Sequence, residues 1–227
     1  MEKDVKYWYL RNHQLFSRLS SDEIKELCVI TNFRKARKNE IIDLADEHKR
    51  IYSLKKGTIR IISISEDGTE TTKEILQQGD IFGEISLDAN NAEAENQYAQ
   101  AASPEVQVCS FFVEDFEKIL HRNPLLAIHY TKLVGFRLKT MQNRYADLVF
   151  KDVRTRLISF LKDFAVQNGK KEANSFVTPH FLTQHDIANL IGASRQTVTT
   201  LMNEFTEQNL FQYSRNTFII PDVEKFK

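Results

Sequence analysis

The run of residues 182–201, near the carboxyl end, restricts the fold of this chain more than any other segment. Thr183 is followed three residues later by Asp186, a spacing typical of the capping box that starts a helix. Gly192 can end this helix because glycine tolerates a left-handed backbone, and Ser194 can cap a second helix. Two short helices joined by a tight turn that contains glycine form a helix-turn-helix.

The outward side of the second helix is polar, whereas its inward side carries Val198, Leu201, Met202 and Phe205. In a helix-turn-helix, the N-terminal end and the exposed side of the second helix read the bases of DNA. Arginine can pair with guanine, glutamine with adenine, and threonine with a base edge or a thymine methyl group. Free backbone N–H groups at the start of the first helix can hold a phosphate. The predicted DNA contacts are Thr183, Gln184, His185, Ser194, Arg195, Gln196, Thr199, Thr200 and Arg215.

A polar tip between two short apolar runs follows the second helix, in residues 209–220. This pattern predicts a strand pair, the wing, with Arg215 at its tip for contact with the DNA backbone. The formal charge of the whole chain is zero, so a local patch has to attract DNA. A helical hairpin that serves only protein packing is the alternative. The cap, the turn glycine, the exposed polar face and the wing together favour DNA binding.

A long helix is predicted to begin at Asn123-Pro124, because proline suits the first turn of a helix. Leu126, Tyr130 and Leu133 form an apolar stripe that we expect to face the β domain. A second stripe follows a heptad pattern that predicts pairing with another copy of the chain, with a glycine that lets the two backbones approach. A helix buried within one monomer is the alternative. The heptad positions are Ile128, Thr131, Gly135, Leu138, Gln142, Tyr145 and Val149.

The sequence predicts an α+β chain with an N-terminal antiparallel β-roll or jelly roll, a long dimerisation helix and a C-terminal winged helix-turn-helix. Helices reach to about residue 33, and short β-rich runs broken by glycine turns occupy about 34–112. A further helix ends near Gly169, and residues 170–179 are predicted to form a loop. The expected domains are 1–122 with the N-terminal helices and the effector β-roll, 123–151 with the dimerisation helix and hinge, and 152–227 for DNA binding.

The chain has two cysteines, Cys28 and Cys109, whose separation matches no metal-binding motif, so we expect reduced, mostly buried thiols and no metal or cofactor. The charged N-terminus lacks a signal peptide pattern. No apolar run approaches the about 18 residues that a membrane span needs. A cytoplasmic location without membrane contact is predicted.

Four segments resemble one family in the same order along the chain. Residues 76–84 carry a Gly-Asp…Gly-Glu signature, and residues 147–157 resemble a hinge after a dimer helix. Residues 192–198 resemble the start of a recognition helix, and residues 207–210 the approach to a wing. On these segments the chain resembles the catabolite-activator and fumarate-nitrate-reduction (Crp/Fnr) superfamily of transcription regulators, over nearly its whole length.

This resemblance implies a homodimer whose β-roll binds a small-molecule effector and thereby repositions the two DNA-binding domains. The paired recognition helices would enter successive major grooves of a near-palindromic double-stranded site, about 34 Å apart. RNA polymerase is expected as a partner. The implied effector pocket includes Gly83, Glu84, Ile85, Ser86, Glu95, Asn96, Met141 and Gln142.

The implied pocket departs from the pattern of the family members that bind cyclic AMP. Glu95 and Asn96 stand where those members carry an Arg-Ser pair, and no lysine or arginine occurs from Asp88 to Pro104. Met141 and Gln142 stand where a Thr-Ser pair meets the adenine. Burying a cyclic phosphate beside carboxylates without a cation costs several kcal/mol. We therefore hypothesise that this chain does not bind cyclic AMP in the usual way.

Other readings have less support. A cyclic-nucleotide-responsive activator keeps the same fold, whereas a cupin-type enzyme needs several histidines and the β region holds only His48. An iron–sulfur cluster needs four thiols. For haem, the histidines considered as axial ligands are His13, His48, His121 and His129. Gln196 and Thr200 replace an acidic and a basic residue of the best-known relatives, so the familiar operator is not expected.

Overall fold

The computed structural model describes residues 2–42, 50–83 and 96–227. These residues divide into two compact units, Met1–Leu138 and Lys139–Lys227. The boundary lies inside the long helix α4 (Pro124–Phe150). No helix in the described ranges combines the length and the apolar character needed to cross a membrane.

Two helices open the first unit, α1 (Glu2–Asn12) and α2 (Ser21–Ile30). The second starts at a reciprocal capping box between Ser20 and Glu23. The Ser20 N–H donates to Glu23 Oε2 at 2.7 Å, and the Glu23 N–H donates to Ser20 Oγ at 3.3 Å.

In the described residues of the β-roll, two four-stranded sheets have the strand orders β1-β8-β3-β6 and β2-β7-β4-β5, with antiparallel pairing throughout. The predicted α+β class with an antiparallel β domain is confirmed. The strands are β1 (Asn32–Arg37), β2 (Ile41–Ile42), β3 (Arg50–Lys56), β4 (Ile59–Ile64), β5 (Glu70–Leu76), β6 (Ile81–Gly83), β7 (Gln97–Ala101) and β8 (Glu105–Phe112).

Apolar side chains from both sheets make one core, and a second core joins the sheets to the helices. Helix α3 (Val113–Arg122) contributes Phe116 to this second core. Leu126 of α4 is buried there, and Tyr130 and Leu133 are partly buried against it. The prediction that this stripe faces the β domain is therefore confirmed, since β3, β6 and β8 also supply residues to the same core.

The second unit contains the carboxyl part of α4, then three helices and a four-stranded antiparallel sheet of order β11-β12-β10-β9. Asp152 caps helix α5, and Gly169 ends it as predicted. The elements are α5 (Val153–Asn168), β9 (Lys170–Glu172), β10 (Ser175–Pro179), α6 (Gln184–Ile191), α7 (Arg195–Glu207), β11 (Gln212–Tyr213) and β12 (Thr217–Ile220).

The loop predicted for residues 170–179 is wrong, because this segment is a β-hairpin. Ala173 makes the tight turn with a φ of 55°. Phe176 and Thr178 are buried on one face of β10, which pairs with β12 along its other edge. The partner of β10, strand β12, lies about 40 residues further along the chain, so the local sequence does not indicate this pairing. Strand β9 is charged and exposed at the edge of the sheet, so it lacks the apolar pattern of a strand.

Gly83 ends β6 in a conformation that only glycine adopts easily, with a φ of +101°. A Cβ atom at this position would collide with the carbonyl oxygen of Arg50 on the neighbouring strand β3. Gly79 has a similar φ of +94°, but no atom lies within 4 Å of the place where its Cβ would be. The close approach of β6 and β3 therefore accounts for glycine at position 83, and no bound ligand is needed to explain it.

We expect Gly83→Ala to destabilise the first unit more than the matched variant Gly79→Ala. Gly79→Ala carries only the backbone penalty of about 1–2 kcal/mol, whereas Gly83→Ala adds a steric clash of about 1–3 kcal/mol. Urea unfolding of the full chain, followed by circular dichroism, measures both. Equal losses of unfolding free energy would show that the contact between β6 and β3 does not restrict position 83.

Candidate nucleic-acid interface

Helix α6 begins at a reciprocal cap between Thr183 and Asp186. The Asp186 N–H donates to Thr183 Oγ1 at 3.1 Å, and the Thr183 N–H donates to Asp186 Oδ2 at 2.8 Å. Asp186 is buried, so its carboxylate serves the cap. Gln184 and His185 occupy the first helical turn, where N–H groups have no partner within the helix. These two N–H groups lie at the positive end of the helix dipole, which suits a phosphate.

The turn between α6 and α7 has the geometry that the sequence predicts. Gly192 is left-handed, with φ 63° and ψ 50°, and it ends α6. Ser194 caps α7, since the Thr197 N–H donates to Ser194 Oγ at 3.0 Å. The predicted helix-turn-helix is confirmed in its caps and in its turn.

Helix α7 separates an inward and an outward face. Val198, Met202 and Phe205 are buried, whereas Leu201, which the sequence also places inward, is only half-buried. The outward face carries polar side chains with free access to solvent. Of the predicted base-reading residues, Arg195, Gln196 and Thr200 are exposed, as is the cap residue Ser194, and Thr199 is half-buried.

Thr199 and Gln184 bind each other, a contact that the sequence does not reveal. The Thr199 hydroxyl lies 2.6 Å from Gln184 Oε1 and 2.9 Å from the Arg195 carbonyl oxygen. Since its single hydroxyl hydrogen already has protein acceptors, Thr199 can offer another partner its methyl group or the lone pairs of its Oγ1. The same contact ties the side chain at the start of α6 to the middle of the recognition helix.

The wing is present as predicted, as the antiparallel pair of β11 and β12. Its tip is a tight turn in which the Ser214 N–H donates to the Thr217 carbonyl at 2.8 Å. Arg215 lies in this turn and is exposed. The predicted DNA contacts therefore occupy three neighbouring parts of one compact unit: the start of α6, the outward face of α7 and the wing tip.

Arg156 of α5 holds the turn of the helix-turn-helix, and sequence reasoning assigned it no role. Its Nε donates to the Ile191 carbonyl at 2.8 Å and its Nη2 to the Gly192 carbonyl at 3.1 Å. Its Nη1 donates to the Lys151 carbonyl at 2.7 Å. The positive charge of Arg156 at the C-terminal end of α6 also interacts favourably with the helix dipole. The partners lie 35 and 36 residues away in sequence, so no local pattern could indicate them.

Arg154 makes a second link, from α5 to the recognition helix. Its Nη1 lies 2.7 Å from Glu204 Oε2, and its guanidinium lies 4.8 Å from the centre of the Phe205 ring. Both side chains of the ion pair are substantially exposed, which limits the stabilisation to about 0–1 kcal/mol.

Half of the implied effector pocket lies outside the described residues, namely Glu84, Ile85, Ser86 and Glu95. Gly83 is described and is accounted for by strand packing. Asn96 is exposed, as are Met141 and Gln142 on α4.

The two cysteines are free thiols, Cys28 half-buried and Cys109 buried. Burial raises the pKa of the Cys109 thiol to about 11 and also raises the pKa of Cys28. Both groups therefore carry little of the reactive thiolate near neutral pH. This fits the expectation of reduced thiols.

Comparison with protein families identifies both parts of the chain. The cyclic nucleotide-binding domain family matches residues 33–123. The Crp-like helix-turn-helix domain family matches residues 155–227. The two matches occur in the order that the sequence predicts.

Curated relatives with similar sequences are named as regulators. The chain is 27% identical over 176 residues to the CRP-like cAMP-activated global transcriptional regulator of Mycobacterium tuberculosis, covering 78% of this chain and 77% of the relative. It is 26% identical over 206 residues to the global nitrogen regulator of Synechocystis, covering 91% and 89%.

Two solved structures share the fold of this chain over most of its length. A CooA mutant from Carboxydothermus hydrogenoformans matches with a TM-score of 0.71 and 25% identity, over 87% of each chain. FixK2 from Bradyrhizobium japonicum matches with a TM-score of 0.73 and 17% identity, over 87% of this chain and 96% of FixK2.

We expect Arg156→Lys to destabilise the second unit by about 1–3 kcal/mol, because lysine keeps the charge but cannot reach three carbonyls at once. The matched variant Arg154→Lys should cost about 0–1 kcal/mol, because it disturbs one exposed ion pair. Urea unfolding followed by circular dichroism compares the two variants. If both variants lose the same free energy of unfolding, the guanidinium of Arg156 does not hold the turn.

Proposed function

Within the Crp/Fnr superfamily, to which this chain belongs, we propose that the protein is a homodimeric, sequence-specific DNA-binding regulator that does not depend on cyclic AMP. The observation that carries the proposal is the capped turn at Gly192, which presents an exposed polar face of α7 beside an exposed wing arginine. DNA contact gives this polar surface a partner, and RNA polymerase is the second partner we propose. A cytoplasmic location follows from this role.

Three exposed side chains of α7 are proposed to read bases in the major groove. Arg195, at the first turn of the helix, can donate two hydrogen bonds to guanine, and Gln196 can pair with adenine. Thr200 can meet a base edge. Thr199 is proposed to place its methyl group against a thymine methyl, because its hydroxyl hydrogen is already donated to Gln184 or the Arg195 carbonyl.

Phosphate contacts are proposed at both sides of the recognition helix. The first-turn N–H groups of Gln184 and His185 can bind one phosphate, and Arg215 at the wing tip can bind another. These contacts position the protein without reading sequence. They also make the affinity fall with added salt, since counterions are released from the DNA.

The homodimer is proposed from the heptad stripe of α4, which is open to solvent in the single chain. Its apolar members are about half exposed or more: Ile128 51%, Leu138 55%, Tyr145 71% and Val149 57%. Thr131, Gly135 and Gln142 are exposed at the remaining positions. No atom lies within 4 Å of the place where a Cβ of Gly135 would be, so a partner helix can approach closely there.

The proposed independence from cyclic AMP rests on charge in the sequence. A cyclic phosphate needs a cation, and residues 88–104 contain glutamates but no lysine or arginine. Relatives do not decide the effector, because regulators named as cAMP-activated and global nitrogen regulators resemble this chain about equally. A cAMP-responsive activator is therefore the second candidate, suggested by the names of the cAMP-activated relatives alone.

Selection of a random DNA library on the purified protein, with and without cyclic AMP at one salt concentration, tests the proposal. We expect a near-palindromic site to be enriched equally in both conditions. Enrichment only with cyclic AMP would establish the second candidate instead. Arg195→Ala should abolish discrimination at one base pair in each half-site, at a loss of about 1–3 kcal/mol.

A repair variant, Glu95→Arg with Asn96→Ser, serves as the matched test of the pocket. If missing charge is the reason for cyclic AMP independence, this variant gains calorimetric binding of the nucleotide while the parent shows none. Micromolar binding by the parent protein would contradict the proposal.

The dimer is tested separately by placing a charge in the heptad stripe. Leu138→Glu should yield monomers in sedimentation velocity and weaken operator binding by about 100-fold or more, because the second half-site is lost. Lys139→Glu, next in the sequence but outside the stripe, should remain dimeric. If Leu138→Glu also sediments as a dimer, the stripe is not the interface.

A further inference from the structure

His180 lies between β10 and α6, and it is buried with 2% of its surface exposed. It contacts the wing through both its backbone and its ring. Its N–H donates to the carbonyl of Asn216 at 2.9 Å, and its Nε2 lies 3.3 Å from the carbonyl oxygen of Ser214. These two carbonyls flank Arg215 on either side. One buried residue therefore holds both backbone groups that set the position of the exposed wing arginine.

The other nitrogen of the same ring faces the start of α6. The Leu182 N–H donates to His180 Nδ1 at 3.2 Å, and the Tyr213 hydroxyl donates to the Leu182 carbonyl at 3.3 Å. Leu182 directly precedes the cap residue Thr183. Because Nδ1 accepts a hydrogen bond, the ring proton of a neutral His180 lies on Nε2, which then donates to Ser214.

Aromatic packing holds the ring in this orientation. The His180 ring is stacked on Tyr213 with centroids 5.1 Å apart and lies 5.6 Å from the ring of Phe218. Burial lowers the pKa of His180 below its ordinary value, which keeps the ring neutral. A neutral ring has one donor and one acceptor, and the wing and the start of α6 use one each.

We propose that His180 is a positioning residue that fixes the wing arginine relative to the N-terminus of α6, so that both bind phosphates of the same DNA half-site. The inference rests on the proposed DNA-binding function and adds a residue that does not itself touch DNA. Arg215 and the N–H groups of Gln184 and His185 belong to different elements, and His180 connects them through Ser214, Asn216 and Leu182. Together with the bond from the Tyr213 hydroxyl to the Leu182 carbonyl, these contacts set the distance of the wing tip from α6.

The salt dependence of DNA affinity tests this role, because its slope counts phosphate contacts. The slope of log K against log salt is negative, and each lost contact reduces its magnitude by about 0.9, so a dimer that loses one contact per subunit loses about 1.8. The probe is a duplex that carries the site enriched from the random library. The variant is His180→Phe in the full chain, which keeps an aromatic ring for packing but removes both ring hydrogen bonds.

We expect His180→Phe to reduce the magnitude of the slope by about 1.8, as Arg215→Gln does, and the double variant to reduce it no further. Base preference should stay unchanged in all three variants. If His180→Phe keeps the wild-type slope while Arg215→Gln shows a slope of smaller magnitude, the inference is overturned. The proposed DNA binding is unaffected by that outcome. A wild-type slope in Arg215→Gln also overturns the inference. If the wild-type protein neither enriches nor binds any duplex, the proposed function itself is contradicted.

Two amide variants keep the inference testable if His180→Phe does not fold. Glutamine can place an amide donor near the position of Nε2, within reach of Ser214, whereas the shorter asparagine can reach only Leu182. Both lose the ring equally, which makes them a matched pair. We expect His180→Gln to keep the wild-type slope and His180→Asn to show the slope of Arg215→Gln. Equal slopes in the two variants would contradict the positioning role.

Discussion

The left-handed turn at Gly192 is the constraint on which the whole candidate interface depends. It orients α7 relative to α6, and the guanidinium of Arg156 binds the carbonyls of Ile191 and Gly192 on its inner side. The same guanidinium binds the Lys151 carbonyl just after α4. The position of the recognition helix is thereby coupled to the end of the long helix through one planar, always charged group.

Local signals were sufficient to predict the helix-turn-helix and the long helix. The caps at Thr183 and Ser194 and the turn at Gly192 each involve residues no more than four positions apart, so they can be recognised from the sequence alone. The hairpin of β9 and β10 was missed because its pairing with β12 is long-range. The roles of Arg156 and His180, and the contact between Gln184 and Thr199, depend on folding that brings distant segments together.

The effector domain shows how a retained motif can have a structural cause. Gly83 is part of the family signature, yet the approach of Arg50 on β3 already demands glycine there. The sequence around it lacks the cation that a cyclic phosphate requires. The β-roll supports the first part of α4 through the core that contains Phe116 and Leu126.

The most direct measurement of the central claim is a hydroxyl-radical footprint of the full chain on its enriched site, without cyclic AMP. A homodimer with paired recognition helices predicts two protected clusters related by a dyad, with centres about 34 Å or one turn of DNA apart. Flanking protection from the wings should lie outside each cluster. A single protected cluster without symmetry would contradict the account, because the exposed stripe of α4 would then have no second copy to pair with.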